Sequence, residues 1–300
     1  MTHPTPLRRG QRIRGNFLRN RLAVLSLFIL ILLVLTALTG PHLLALLNLD
    51  GFETDLFNLK GPPGPGHPLG TDELGRDVLA RLILGSQASL SVGLITALTA
   101  AILGSIIGIC AGYFGGWLDS LLMRLTDGVI ALPLLPLLIV LSALDFDKIG
   151  LGAFADGSGL MRLVMIISLV AWPTVARLVR AETLSLKQRE FVVAARAQGA
   201  TPLFIMRRHI FPNVQASIVI ATTLSIGNII LLESVLSFLG LGIRPPTPSW
   251  GTMLTNAQDY IWDSPNLALW PGLAIFITVI AFNFLGDGLQ DALDPKQHRQ

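Results

Sequence analysis

The sequence predicts an all-α, polytopic membrane protein with six transmembrane helices. Of its 300 residues 52% are apolar and only 14% are charged, against about 25% in a typical soluble domain. The charges are spaced so unevenly that long stretches contain no Asp, Glu, Lys or Arg. These stretches do not alternate polar and apolar residues as barrel strands do, and lipid offers no hydrogen-bond partner to an open backbone. Each stretch therefore predicts a helix.

The lengths of the charge-free stretches set the expected helices. Five of them approach or exceed the roughly 20 residues that span the hydrocarbon core. The stretch 163–176 is shorter, and we extend its helix because Arg162 and Arg177 can snorkel to the two interfaces. The predicted helices are 22–42, 88–112, 128–146, 160–180, 214–236 and 268–287.

The basic residues predict the orientation. Sixteen of the 22 Lys and Arg residues fall on the side of the membrane that holds the N-terminal tail and the loop 181–213, and such residues favour the cytoplasmic side. Both termini are therefore expected in the cytoplasm, and the apolar core of the first helix is too long for a cleaved signal. The predicted segments are a cytoplasmic tail 1–21, an anchor helix 22–42, an external loop 43–87, a five-helix core 88–287 that includes the cytoplasmic loop 181–213, and a cytoplasmic tail 288–300.

The external loop 43–87 contains a turn-rich segment, GPPGPGHPLG at 61–70, which cannot be helical. Thr71 follows it as a candidate N-cap, with acids in the next turn, where a helix dipole favours negative charge. This pattern predicts a short interfacial helix that leads into the second transmembrane helix. The alternative is an external docking surface, because four charged residues are crowded between 72 and 77.

The cytoplasmic loop 181–213 reads as a helix, a break and a second helix. Thr183 is a candidate cap for the first helix, Gly199 breaks it, and Thr201 with Pro202 starts the second. Pro212 is expected to close the turn into the fifth transmembrane helix. Small residues in this basic loop favour a helix on which another protein docks, and the alternative is an amphipathic helix on the bilayer.

This loop resembles the coupling loop of bacterial ABC importer permeases. That pattern is Glu-Ala-Ala, three residues, Gly, nine residues, then Ile-x-Leu-Pro. Four residues fall on it, namely Ala194, Ala195, Gly199 and Pro212, and three depart from it, namely Val193, His209 and Phe211. The departures resemble the dipeptide, oligopeptide and nickel branch, which often reads E-[YF]-V-x-A-A-R-x-x-G, as 190–199 does.

Three further segments resemble the same branch in the same order. They are HPLGTDELGRDVLARL at 67–82, LSFLGLGIRPPTPSWGTML at 236–254 and GDGLQDALDP at 286–295. The resemblance covers about residues 12–295. It is to the second, C-type permease of the importer pair, and it implies the type I ABC importer permease fold.

The resemblance implies a permease subunit of an ATP-driven importer in the bacterial plasma (inner) membrane. Its partners would be a second, different permease, two ATPase subunits, an external substrate-binding protein and the lipid bilayer. The two permeases would form the pathway for di- or oligopeptides or similar small solutes. The topology already explains the basic pI, so no nucleic-acid partner is expected.

The chain is not expected to be an enzyme. It lacks the G-x-x-x-x-G-K-[ST] phosphate loop, so ATP and Mg²⁺ are expected in the partner ATPases. We expect no catalytic residue, metal ligand or cofactor in this chain. The alternatives are a stand-alone secondary transporter and a non-transport membrane scaffold.

The candidate site residues fall in two places. The resemblance assigns ATPase docking and coupling to six residues of the loop: Glu190, Ala194, Ala195, Arg196, Gly199 and Pro212. Glu233 lies near the outer end of the fifth helix, and an acid there is either a structural partner for a neighbouring helix or a gate in the pathway. In the second helix, Gly104 and Gly108 form a G-x-x-x-G pair that permits close helix packing, either inside the bundle or against the other permease.

Overall fold

The computed structural model describes residues 15–144, 159–255 and 257–293, and these form helices joined by loops, without a β-strand. A short 3₁₀ turn covers Ala257–Tyr260. The helices are α1 (Arg21–Leu47), α2 (Val78–Phe114), α3 (Gly116–Ala131), α4 (Leu134–Ala143), α5 (Leu160–Lys187), α6 (Glu190–Ala197), α7 (Pro202–Phe238), α8 (Trp250–Met253) and α9 (Asn266–Leu293).

Five helices, α1, α2, α5, α7 and α9, are each long and apolar enough to cross a membrane. The pair α3–α4 passes the same test when taken together, with a bend of 89° between its two halves. The all-α, polytopic architecture is thus confirmed, with six spans among the described residues when the bent pair counts as one.

The prediction of one continuous helix over 128–146 is wrong, because the chain forms two helices with a bend between them. α3 begins at Gly116, and the chain bends at Leu132 and Pro133 before α4. Leu132 has an extended backbone with ψ of 139°, as expected for a residue that precedes proline. Pro133 also has no N–H group to donate to a preceding carbonyl, and together with the extended Leu132 this separates α3 from α4. Residues 145 and 146 of the predicted helix lie outside the described residues.

The predicted short helix at Thr71 is also absent. The Thr71 hydroxyl accepts a bond from the Gly61 N–H at 2.7 Å and donates to the Asn58 carbonyl. The chain then turns through Gly75, whose φ is +78°, and α2 begins only at Val78. The cap is Asp77, whose carboxylate accepts from the Ala80 N–H at 2.7 Å. α2 then continues without a break through the predicted second helix 88–112.

Both predicted boundaries around the cytoplasmic loop lie elsewhere. Thr183 does not cap a helix, because α5 runs on to Lys187 and buries Thr183. Pro212 does not close a turn, because α7 runs through it from Pro202 to Phe238. A π-helical turn at Met206–Ile210 precedes the proline, and the Asn213 side chain donates to the His209 carbonyl at 2.6 Å. These bonds satisfy carbonyl groups close to Pro212, which has no N–H group to donate.

The first and last helices are longer than predicted. α1 ends at Leu47 rather than residue 42, and α9 ends at Leu293 rather than 287. The extra turn of α9 is packed against the start of α1, since a Cβ on Gly288 would lie 2.2 Å from that of Ala23. Asn20 also donates to Asp291 at 3.4 Å. The two helices therefore run antiparallel, with those ends adjacent.

The centre of the fold is the contact between α2 and α5, and it depends on glycines of α2. A Cβ on Gly104 would lie 2.7 Å from the Trp172 carbonyl, and one on Gly108 would lie 2.6 Å from the Ala176 carbonyl. Gly112 makes a similar approach to Thr183, at 2.7 Å. The G-x-x-x-G pair thus packs inside the bundle, which was one of the two predicted outcomes.

Candidate coupling surface and buried polar contacts

The short helix α6 is held against the membrane helices by one fully buried side chain. Val192 has no exposed surface and belongs to an apolar cluster with Tyr113 of α2, Val179 of α5 and Ile205 and Val214 of α7. Apolar burial is the main driving force for such contacts. Consequently α6 is connected by packing to three membrane helices.

The end of α6 requires a glycine for its backbone conformation. Gly199 has φ of +82°, a region that residues with a Cβ rarely adopt. Its N–H donates to the Arg196 carbonyl at 3.0 Å, and the Ala200 N–H donates to the Ala195 carbonyl at 3.1 Å. These bonds satisfy the carbonyl groups at the helix end. The space itself is open, since a Cβ at Gly199 would meet no atom within 4 Å.

A concave surface of about 740 Å³ lies between α6 and the start of α7. Its floor carries Ala194, Ala195 and Gly199, which have little or no side chain, and its walls carry Phe191 and Phe204. These two rings are 43% and 52% exposed. Large exposed apolar side chains around a small-residue floor are typical of a surface that receives a protein partner.

His209 lies between the two aromatic walls. Its ring centroid is 6.0 Å from that of Phe191 and 5.8 Å from that of Phe204. The coupling-loop pattern has Ile at this position, so His209 replaces an aliphatic side chain by a flat, partly polar ring. The sequence marked His209 only as a departure from the pattern, and the structure places it in the wall of the concavity.

The other three candidate residues of the loop lie outside the concavity. Glu190 is exposed in the first turn of α6, where a negative charge favours the helix dipole. Arg196 places its guanidinium carbon 5.5 Å from the ring centroid of Tyr113, so it contacts α2. Pro212 is exposed on α7. The structure thus brings together three of the six predicted docking residues.

Two ion pairs connect α5 to α3. Arg180 donates to both carboxylate oxygens of Asp119, at 2.5 and 2.6 Å, and Arg177 donates to Asp127 at 2.5 Å. The bidentate geometry makes the first pair the stronger one. Sequence reasoning did not single out these acids, although each pairs with an arginine of the basic face that sets the topology.

Glu233 is fully buried and holds three segments of the chain together. Its carboxylate accepts from Ser237 at 2.8 Å and from Ser89 of α2 at 3.1 Å, with Ser234 at 3.4 Å. Ser89 in turn accepts the backbone N–H of Trp250 at 3.2 Å. The carboxylate thus connects α7 to α2 and α8. This geometry favours the structural interpretation of Glu233, and its role as a gate stays a prediction.

We expect Glu233→Gln to retain stability and uptake, whereas Glu233→Leu loses both. Glutamine keeps one oxygen that can accept from one of the two hydroxyls and has an NH₂ group that can donate to the other, but leucine leaves both buried hydroxyls without an acceptor, at roughly 1–3 kcal/mol each. The measurement is thermal unfolding of the detergent-purified chain, together with solute uptake. A Glu233→Gln variant that unfolds like the wild type but has lost uptake would favour the gate instead.

The charged cluster before α2 is satisfied internally. Asp72 accepts from the Leu74 and Arg76 N–H groups and from the Arg76 side chain, and its carboxylate is 3.3 Å from Arg81. His67 lies 3.0 Å from Asp77. Asp72, Asp77 and Arg81 are all buried. Their charges therefore stabilise the loop and the start of α2, in place of the predicted short helix.

The membrane helices and the coupling surface together match a known protein family. Residues 104–299 match the family described as the inner membrane component of binding-protein-dependent transport systems. The chain belongs to this family of ABC importer permeases. Residues 9–62 of the permease also match the N-terminal transmembrane domain of oligopeptide transport permease C, which confirms the branch that the sequence motifs resemble.

Curated relatives cover nearly the whole permease. The glutathione transport system permease protein GsiD of Pectobacterium atrosepticum is 40% identical over 280 residues, which is 93% of this chain and 89% of the relative. GsiD of Escherichia coli O157:H7 is also 40% identical over 280 residues, with 88% of the relative covered. The chain is therefore a permease subunit that contributes to the translocation pathway of an ABC importer in the inner membrane.

A solved structure shows the same fold. Inward-facing MetNI, a methionine ABC transporter, superposes with a TM-score of 0.58 at 18% identity, over 72% of this chain and 98% of that one. At this identity the likeness concerns the fold. It confirms the predicted importer permease architecture.

Proposed function

We propose that this permease pairs with a second, non-identical permease and imports di- or oligopeptides or similar small solutes, using ATP hydrolysed by two partner ATPase subunits. The observation that carries the proposal is the concavity at α6, with its small-residue floor, aromatic walls and rigid connection to three membrane helices. ATP and Mg²⁺ bind in the partners, and this chain supplies no catalytic residue, metal site or cofactor site.

The coupling step is mechanical. An ATPase surface that fills the concavity moves α6 when the ATPases close on ATP. Because Val192 is packed against α2, α5 and α7, the movement is passed to these helices as a rigid body rather than absorbed by a loop. The helices then alternate between inward-open and outward-open arrangements around the solute.

The proposed substrate class is based on the names of the similar proteins. Proteins 40% identical over 93% of this chain carry the name glutathione transport system permease, and glutathione is a modified tripeptide. An external binding protein delivers the solute to the outer face of the two permeases.

The termini of the permease lie in the cytoplasm. Three contacts support this orientation. The end of α9 lies beside the start of α1, and Gln87, near the start of α2, donates to Ala37 in the second half of α1 at 2.5 Å. α1 and α2 therefore run antiparallel, so that the start of α1 lies at the same end as Tyr113, against which α6 packs.

The test is purification of the tagged chain from its native membrane in mild detergent, followed by mass spectrometry and reconstitution. We expect a second permease and two ATPases to copurify, and ATP hydrolysis to rise when a peptide-loaded binding protein is added. Recovery of the chain alone, with uptake driven by an ion gradient and independent of ATP, would instead establish a secondary transporter. A stable chain with no uptake at all would establish a scaffold.

A further inference from the structure

Two asparagines lie inside membrane-spanning helices, each ten residues before the end of its helix. Asn228 is in α7 and is exposed, and Asn283 is in α9 and is partly exposed. Among the hydrogen bonds of the described residues, none involves either amide side chain. Both therefore present unpaired donors and acceptors at a depth where the other exposed side chains are mostly apolar.

The two amides border the same contact between helices. A Cβ on Gly227 would lie 3.4 Å from the Val279 carbonyl, and one on Gly286 would lie 2.5 Å from the Leu224 side chain. Asn228 directly follows Gly227, and Asn283 lies between Val279 and Gly286 in the sequence. The α7–α9 contact thus has an amide next to it on each helix.

The side of α7 opposite Asn228 is packed against the rest of the chain. Ile226 and Ile230 are buried, and a Cβ on Gly93 of α2 would lie 2.7 Å from the Ile230 side chain. Asn228 is two residues from each of these isoleucines, which places it about 160–200° around the helix from them. Its side chain consequently faces away from the core of the chain.

Lipid is a poor environment for the face of α7 that carries Asn228. Hydroxyls of the same helix can remain in hydrocarbon, since Thr222 and Ser225 donate to carbonyls of their own helix at 2.6 and 2.7 Å. The amide of Asn228 makes no such bond, and an unpaired amide is costly to bury in an apolar medium. Water or a polar solute removes this cost.

We propose that Asn228, with Asn283 on the neighbouring helix, lines the translocation pathway and hydrogen-bonds the peptide groups of the passing solute. An amide side chain both donates and accepts, as a peptide group does. It can therefore bind successive backbone units of a solute whatever their side chains. The choice of a peptide as solute rests on the proposed function, whereas the position of Asn228 in an aqueous pathway does not.

The first experiment labels cysteines in the assembled complex. Cys110 is the single cysteine, so Cys110→Ala provides a background for Asn228→Cys. The matched control is Leu32→Cys, at a 52% exposed apolar position of α1. A charged, membrane-impermeant thiol reagent should modify Asn228→Cys at least about tenfold faster, because thiolate formation and reagent access both need water. Equal, slow labelling of both positions would overturn the proposal.

The second experiment measures uptake of a labelled dipeptide in proteoliposomes. Asn228→Leu should lower uptake about tenfold, the effect of losing one hydrogen bond of roughly 1.4 kcal/mol in the pathway, and Asn228→Gln should restore most of it. Normal uptake by Asn228→Leu would overturn the role in solute binding. If the wild type takes up no peptide, the proposed substrate class fails, while the labelling result still decides whether Asn228 faces water.

Discussion

Adding one methyl group at Gly108 is expected to destabilise the folded permease by about 2–3 kcal/mol, the cost of overpacking a tight core. A Cβ there would lie 2.6 Å from the Ala176 carbonyl and 2.9 Å from the Val179 Cβ. Both atoms belong to α5, so α2 and α5 would have to separate. Since the coupling surface is packed on these two helices, the change should also reduce assembly of the transporter.

The measurement is thermal unfolding of the detergent-purified chain, for which we expect Gly108→Ala to lower the midpoint by about 5 °C. Gly272→Ala in α9 is the matched control, because a Cβ there would meet no atom within 4 Å. The control should unfold at or slightly above the wild-type temperature, since alanine favours a helix more than glycine does. Equal midpoints for the two variants would contradict the close α2–α5 contact.

Replacing Ala194 by tryptophan is expected to abolish ATP-driven uptake without unfolding the permease. Ala194 is exposed and lies in the floor of the concavity, so an indole ring there would occupy the space that the ATPase surface enters. A steric penalty of about 4 kcal/mol in the binding free energy of the ATPase corresponds to an affinity about a thousandfold lower. The readouts are copurification of the ATPases and uptake in proteoliposomes.

Ala197→Trp separates docking from a general effect of bulk. Ala197 is exposed on the same helix but does not line the concavity. We expect this variant to keep its ATPases and its uptake, and both variants to unfold at the wild-type temperature. If Ala194→Trp copurifies with a full complement of ATPases, the concavity is not the docking surface.

Local features of the sequence were enough for the spans and for the core of the coupling motif. The charge-free stretches predicted where the chain crosses the membrane, because hydrocarbon excludes charge over a fixed length. Ala194, Ala195 and Gly199 lie together in the structure because they are adjacent along one short helix and its left-handed cap. Such features need no distant partner.

Other elements depended on hydrogen bonds that the local sequence pattern does not indicate. Thr71 looked like a helix cap, but Asn58 and Gly61 bind its hydroxyl, so the helix is capped by Asp77 and begins at Val78 instead. Pro212 looked like the close of a turn between two helices, but α7 runs through it after a π-helical turn. In both cases a local signal was overridden by bonds that single-sequence reasoning does not contain.

By itself, the sequence determined that the permease is a multi-spanning helical protein with a loop that matches the coupling pattern, since hydropathy, glycine caps and motif spacing are properties of neighbouring residues. The tertiary structure alone decided what Glu233 and Asn228 face. Glu233 meets Ser89, which is 144 residues away, and its carboxyl group is hydrogen-bonded inside the fold. Asn228 meets no such partner among the described residues, and its amide is left facing outward. Two polar residues of one helix thus differ in role because packing, which depends on distant segments, covers one and exposes the other.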